Sequence, residues 1–278
     1  MKLSRISDLA RGNIPLVSGV INISPESFYQ GSIANKDTLV NRVTEMVTAG
    51  AKIIDIGAMS TRPVSIYGGK EITHKEEKER FEEVLPIITD IASKLNIAIS
   101  IDTQSSDIVK LGLDYGIMVI NDISGLKYDE KIAKLTADND ADLILMACNS
   151  KPGDLTSFDS TIQALQESIL IAKQYGIDDK RIFIDPAFGG WQGRSSEVDL
   201  ELIKNFSKFR ALGYPIYVGV SRKSTIKTLD GGNTPDERLI GSILLTNYLS
   251  DIGIDVIRTH DVKDTILGIT VHKNLISL

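Results

Sequence analysis

The sequence predicts an α/β chain folded as one (β/α)8 TIM barrel, a single domain over residues 1–278. Three observations lead there. Short apolar runs rich in Ile and Val alternate, about eight times, with longer segments of helical period. The runs are apolar on both faces, the pattern of parallel strands buried between two layers. No glycine-rich turn follows the first run, which leads into NISPESF instead, and this makes a doubly wound open sheet the weaker reading. The length of 278 residues is ordinary for one closed barrel.

PLVSGVI (15–21) is the first predicted strand, and Asn22 follows it. KIIDIG (52–57) is the second and leads into Ser60-Thr61-Arg62-Pro63. Thr73 and Glu76 then form a capping box ahead of Phe81, Val84, Leu85 and Ile88, which share one helical face; Pro86 inside that pattern predicts a kink or break. IAISID (97–102) ends in Asp102 and IMVIND (117–122) in Asn121-Asp122. DLILMA (142–147) carries Met146 near its end. Ser160 and Gln163 read as a second capping box, with Leu165, Ile169 and Ala172 behind it and Gly176 as the stop. RIFID (181–185) ends in Asp185-Pro186, and PIYVGV (215–220) in Ser221-Arg222-Lys223-Ser224. Thr234-Pro235-Asp236-Glu237 opens a helix, with a cap, a proline in the first turn and acids beside the positive end of the dipole. DVIRT (255–259) closes the series and delivers Arg258-Thr259-His260.

Composition narrows the function classes. With 42% hydrophobic and 24% charged residues the chain is globular and able to bury a large core. A net charge of -6 and 6% aromatics argue against a nucleic-acid partner, so any anion site must be a local basic cluster. Cys148 is the lone cysteine, which excludes an internal disulfide and a thiolate metal cluster. No apolar run approaches the roughly 20 residues of a membrane span, and MKLSRISDLARGN is too polar for a signal-peptide core. No membrane partner is expected, and a cytoplasmic location is. His74, His272 and Cys148 are read as structural or surface residues.

In such a barrel the chemistry sits at the C-terminal ends of the strands. A single polar residue after a strand is most often a turn former or a helix cap. Here nearly every strand delivers one, and barrel geometry makes them converge. Asp102, Asn121 and Asp185 suit a flat heterocycle with several N–H donors. Arg62, Lys223, Arg258 and His260 suit a phosphate or pyrophosphate, with Thr61 and Asn22 as neutral partners.

The stretches VSGVINISPESF, IIDIGAMSTRP, ISIDT, VINDISG, LILM, FIDPAFG, VGVSRKS and VIRTHDV, in that order, resemble the dihydropteroate synthases over about residues 17 to 262. The resemblance implies a transferase that joins a (7,8-dihydropterin-6-yl)methyl diphosphate to an arylamine and releases pyrophosphate. It implies that Asp102, Asn121 and Asp185 hold the pterin, with Met146 packed on it and Lys223 bonded to the ring. It further implies that Asn22, Arg62, Arg258 and His260 bind the leaving pyrophosphate, with Mg2+ between Asn22 and phosphate oxygens. Thr61, Pro63 and Ser224 would border the aminobenzoate, and a homodimer would form through the late helices. Residues 23–36 and 58–72 are expected to close over the substrate.

The chain departs from the bacterial pattern at Gly57-Ala58-Met59-Ser60, where an acid is lost, at Met146-Ala147-Cys148-Asn149, and at Gly190-Trp191. SPESF, with Glu26, resembles the archaeal branch. These departures leave the acceptor open between p-aminobenzoate, for folate, and its ribosyl phosphate derivative, for tetrahydromethanopterin. Arg194, Lys227 and Lys151 are the candidates for the extra anion site the second would need. Two rivals share the pterin slot. A methyltransferase acting on a corrinoid protein has no pyrophosphate to bind, and a non-catalytic pterin-binding protein would lose the rim cations.

Overall fold

The computed structural model describes residues 2–9, 12, 14–23, 34, 37–57, 73–189, 191 and 194–278. Eight parallel strands lie in it: β1 (Leu16–Asn22), β2 (Ile53–Gly57), β3 (Ala98–Asp102), β4 (Val119–Asp122), β5 (Asp142–Met146), β6 (Ile182–Asp185), β7 (Tyr217–Val218) and β8 (Val256–Thr259). Their order is β6-β5-β4-β3-β2-β1-β8-β7. A parallel bridge between Ile184 and Ile216 joins the two ends, with Ile184 N–H donating to the Pro215 carbonyl at 3.0 Å. The result is the predicted barrel, nearly closed.

The helices that wrap it are α1 (Leu39–Thr48), α2 (His74–Leu95), α3 (Ser106–Asp114), α4 (Lys131–Asn139), α5 (Phe158–Gln174), α6 (Ser196–Lys204), α7 (Ser224–Asp230), α8 (Leu239–Ile252) and α9 (Val262–Ile276). The Thr73–Glu76 capping box opens α2 as the spacing predicts. Pro86 does not end that helix, which runs on to Leu95. Phe81, Val84, Leu85, Ile88 and Ile91 are buried on both sides of it, and that continuous face holds the helix through the missing N–H. The second box sits one turn earlier than expected, on Ser157 and Ser160, with α5 starting at Phe158. Thr234 and Glu237 do exchange cap contacts, but a 3-10 turn (Asp236–Arg238) precedes α8.

Alternation along the strands sorts the side chains into an outer and an inner set. Val17, Ile54 and Ile99 face one group of helices, and Ile120, Leu143, Ile184, Val218 and Ile257 another. The inner set begins with one residue per strand: Leu16, Ile53, Ala98, Val119, Ile144, Phe183, Tyr217 and Val256. Together they form an apolar plug, with Ile6 from the N-terminal turn beneath it. Asp142 anchors that turn by accepting from the Ser7 amide and hydroxyl, each at 2.7 Å. Burying each large plug residue stabilises the fold by about 1.5–3 kcal/mol.

Candidate active site

Two residues further along each strand the same inner face changes character. The plug gives way to Ser18, Asp55, Ser100, Asn121, Met146, Asp185, Gly219 and Arg258, among which the register pairs Ser18 with Arg258, Asp55 with Ser100 and Met146 with Asp185. Polar groups thus form a shelf on an apolar floor, where hydrogen bonds and charges are worth more than in water.

Arg258 is the centre of that shelf. Its Nε donates to Asp55 Oδ2 at 2.5 Å and its Nη2 to Asp102 Oδ2 at 2.8 Å. Gly219 has no side chain, and the Arg258 stem fills the space: a Cβ there would lie 3.4 Å from Arg258 Cβ. Burial alone would depress the guanidinium, but Asp55 and Asp102 together hold it above its usual range. Ser100 Oγ also donates to Asp55, and Asn121 Nδ2 approaches both Asp55 oxygens at 3.3 and 3.4 Å. Tyr217 caps the plug by donating to Ser18 Oγ at 3.1 Å.

The carboxylates at the edge of the shelf are less fully committed. Burial pushes Asp102 up to about 7 against the pull of Arg258. Burial also raises Asp185, with Lys223 opposing it. Asp185 Oδ1 accepts from the Ala187 amide at 2.8 Å. Among the described residues no donor is bonded to Asp102 Oδ1 or to Asp185 Oδ2. Each carboxyl group therefore keeps one oxygen for a ligand. Met146 pairs in register with Asp185 and supplies an apolar wall between them.

Lys223 comes over the edge from the turn after β7. Its Nζ donates to the Phe188 carbonyl and lies 5.9 Å from the centroid of Trp191. Gly189, at φ +141°, permits this: a Cβ there would lie 3.0 Å from Lys223 Cδ. The loop under the lysine is braced by the Arg194–Asp199 pair at 2.7 Å, whose side chains are both 1% exposed. Asp199 also accepts from Thr225, and Arg194 Nη1 reaches the Ala187 carbonyl at 3.1 Å. Asn22 ends β1 beside Asp102; a Cβ on Gly57 would sit 3.5 Å from Asp102 Cβ and 3.8 Å from Asn22 Oδ1. His260 follows β8 and Ser224 opens α7, both partly exposed.

The structure brings Asn22, Asp102, Asn121, Met146, Asp185, Lys223, Arg258 and His260 to one end of the barrel, on or beside the shelf. Thr61, Arg62 and Pro63 lie outside the described residues, as do Glu26, residues 58–72 and nearly all of 23–36. Two placements differ from the sequence reading. Arg258 was expected on the rim with the leaving group, but its inward position in β8, two residues after Val256, sets its guanidinium between two acids of the shelf. Arg194, expected as a rim cation, is buried in its ion pair and presents no charge to an acceptor. Sequence reasoning missed Asp55, Ser100 and Ser18. Their signal was a polar residue at inward parity, two places after an apolar one. His74 contacts Glu77 and Tyr128, His272 contacts Asp251, and Cys148 is buried, its thiol pushed up to about 12 by burial.

The chain matches the family model of the pterin binding enzymes over residues 18–260. It is 36% identical over 257 residues to the dihydropteroate synthase of Clostridium beijerinckii, which covers 91% of each chain. Among solved structures it resembles the Xanthomonas albilineans dihydropteroate synthase with 4-aminobenzoic acid, at a TM-score of 0.82 and 29% identity, covering 96% of this chain and 94% of that one. It also resembles the Coxiella burnetii dihydropteroate synthase in complex with pteroic acid, at a TM-score of 0.79 and 32% identity, again over 96% and 94%.

Proposed function

This chain belongs to the pterin binding enzymes, and on that premise we propose that it works as a dihydropteroate synthase. It is a transferase that condenses (7,8-dihydropterin-6-yl)methyl diphosphate with p-aminobenzoate and releases pyrophosphate. The observation that carries the assignment to this site is the pair of carboxyl oxygens, on Asp102 and Asp185, to which no donor is bonded among the described residues, above the apolar plug. A pterin offers ring N–H and amino donors to two such oxygens, with Asn121 beside them and Met146 against its face.

The reaction breaks the bond between the pterin methylene carbon and the diphosphate oxygen and forms a carbon–nitrogen bond to the arylamine. The amine gives up one proton to solvent or to the departing diphosphate. Breaking the C–O bond leaves positive charge spread over the dihydropterin, which Asp102 and Asp185 stabilise from the shelf. Lys223 and His260, with Arg62, receive the leaving anion at the lip. Arg258 acts from below: it offsets the charge of Asp55 and orients Asp102 toward the ring. The arylamine attacks as a neutral nucleophile and needs position more than a base, which Thr61, Pro63 and Ser224 supply.

Asn22 fits the Mg2+ reading. Its amide oxygen and the Asp102 side chain both face Gly57, and Mg2+ favours one or two protein oxygens combined with substrate phosphates. Among the described residues no group of three His, Cys, Asp or Glu side chains would hold the ion unaided. When bound, it neutralises charge on the pyrophosphate. The burial of Arg194 favours p-aminobenzoate over the ribosyl phosphate acceptor, since Lys151 and Lys227 alone remain for a second anion.

The molecule works as a homodimer. Ile240, Leu244 and Tyr248 on α8, with Leu267, Val271 and Leu275 on α9, recur every four residues and are 49–70% exposed. Gly268 lets these helices approach, since a Cβ there would lie 2.4 Å from Ile243, and the two stripes form one apolar ridge that suits a second copy of the chain. No described helix is long and apolar enough to cross a membrane.

Incubation with the pterin diphosphate, Mg2+ and a panel of arylamines, ribosylated and not, tests the reading by product mass. A pterin–aminobenzoate adduct with stoichiometric pyrophosphate is expected. No adduct from any arylamine overturns it.

A further inference from the structure

His260 is held at one ring nitrogen and at its main-chain N–H by the neighbouring strand end. Ser221 Oγ lies 3.0 Å from His260 Nδ1 and also accepts the His260 main-chain N–H at 3.2 Å. Ser221 is buried, and His260 Nδ1 is the one acceptor that its hydroxyl reaches among the described residues. The hydroxyl therefore accepts a hydrogen bond from the peptide N–H and donates one to Nδ1. A neutral imidazole that accepts at Nδ1 carries its proton on Nε2.

We propose that Ser221 is a positioning residue that fixes His260 as an Nε2–H donor. The functional part rests on the reading of His260 as a contact of the leaving diphosphate. A phosphate oxygen only accepts, so a neutral ring free to present a bare nitrogen would be in the wrong form part of the time. Ser221 removes that choice.

A second contact braces the first. Arg222 and Asp261, the next residues along each chain segment, form a bidentate pair at 2.8 and 2.7 Å. Their side chains are 6% and 11% exposed, so the pair is little screened. Residues 221–222 are thus tied twice to residues 260–261. Arg222 has φ +57°, a left-handed conformation that non-glycine residues rarely adopt. Its amide is held by Ser242 Oγ at 2.9 Å and its guanidinium by Asp261. On either side of that turn, Ser221 meets His260 while Lys223 reaches the Phe188 carbonyl. One strained residue so sets the direction of two groups at the lip.

The chain has three histidines, so long-range proton–nitrogen spectra of the whole protein resolve them, and His260→Gln identifies the His260 signals. On the neutral limb of a pH titration, the wild type should show a bare Nδ1 and a protonated Nε2. Ser221→Ala should move both nitrogens toward a tautomer average and weaken the binding of inorganic pyrophosphate about tenfold, roughly the worth of one hydrogen bond. Ser221→Thr, which keeps the hydroxyl, should restore both readouts. Identical His260 nitrogen shifts in the wild type and Ser221→Ala overturn the proposal. An altered ring signature with unchanged pyrophosphate affinity upholds the positioning and removes His260 from the leaving-group site instead.

Discussion

At the residue scale, the site turns on how one arginine is shared between two acids. Asp102 is pushed up to about 7 by burial, with Arg258 opposing. A raised carboxyl means that the folded chain holds a proton the unfolded chain has already lost. Its contribution to stability is therefore complete below the ordinary carboxylate range and is lost as pH rises through about 7. Binding has the opposite sign, because ring N–H donors need the ionised form. Pterin affinity should rise between about pH 6 and about pH 8, with proton release on binding. Calorimetry in two buffers of different ionisation heat measures this, and equal heats would refute it. Arg258→Ala strands Asp55 and Asp102 together. It should cost about 3 kcal/mol in urea unfolding at about pH 8, and less at about pH 5, where protonation relieves the pair. A pH-independent deficit would show that the ion pair is not the cause. Asp102 and Asp185 were legible because they end their strands, where polarity stands out against an apolar run. Asp55 was not, because an acid in mid-strand gains its meaning only from the inward parity that ring closure confers.

At the element scale, the helix caps and the loop braces carry different loads. Thr73→Ala removes an exposed cap and should cost about 1 kcal/mol without changing ligand binding. Arg194→Ala leaves Asp199 buried and uncompensated under the Lys223 loop. It should cost about 3 kcal/mol and weaken pterin binding as well. Thermal unfolding and a pterin titration on both variants separate the two, and intact pterin affinity in Arg194→Ala would count against the brace. Local signals found the start of the second helix and missed where packing overruled them. The start of α5 moved back one turn because Phe158 gains burial against Phe209, at 5.1 Å between ring centroids. The second serine in the stretch then serves at the third helical position instead of as the cap. Pro86 read as a break because the sequence does not show how much apolar surface α2 buries beyond it.

At the scale of the whole molecule, the β/α alternation made the barrel legible before any coordinate. What it did not reveal was which late-helix residues stay outside, since Leu245 and Leu244 are alike in sequence and opposite in burial. Leu244→Glu with Leu267→Glu should give folded monomers by sedimentation, and a persistent dimer would place the interface elsewhere. Where the circle shuts was equally hidden. Most neighbouring strands pair through three to five residues, β7 and β8 through two, and β6 and β7 through Ile184 and Ile216 alone. The Ile184 amide should therefore exchange with deuterium sooner than that of Ile144, which sits inside a full ladder on both sides. A cask with one loose stave leaks there first. That stave stands between Asp185 and Lys223, so the wall can part at the point where an aromatic ring must be admitted, while the remaining ladders keep their register.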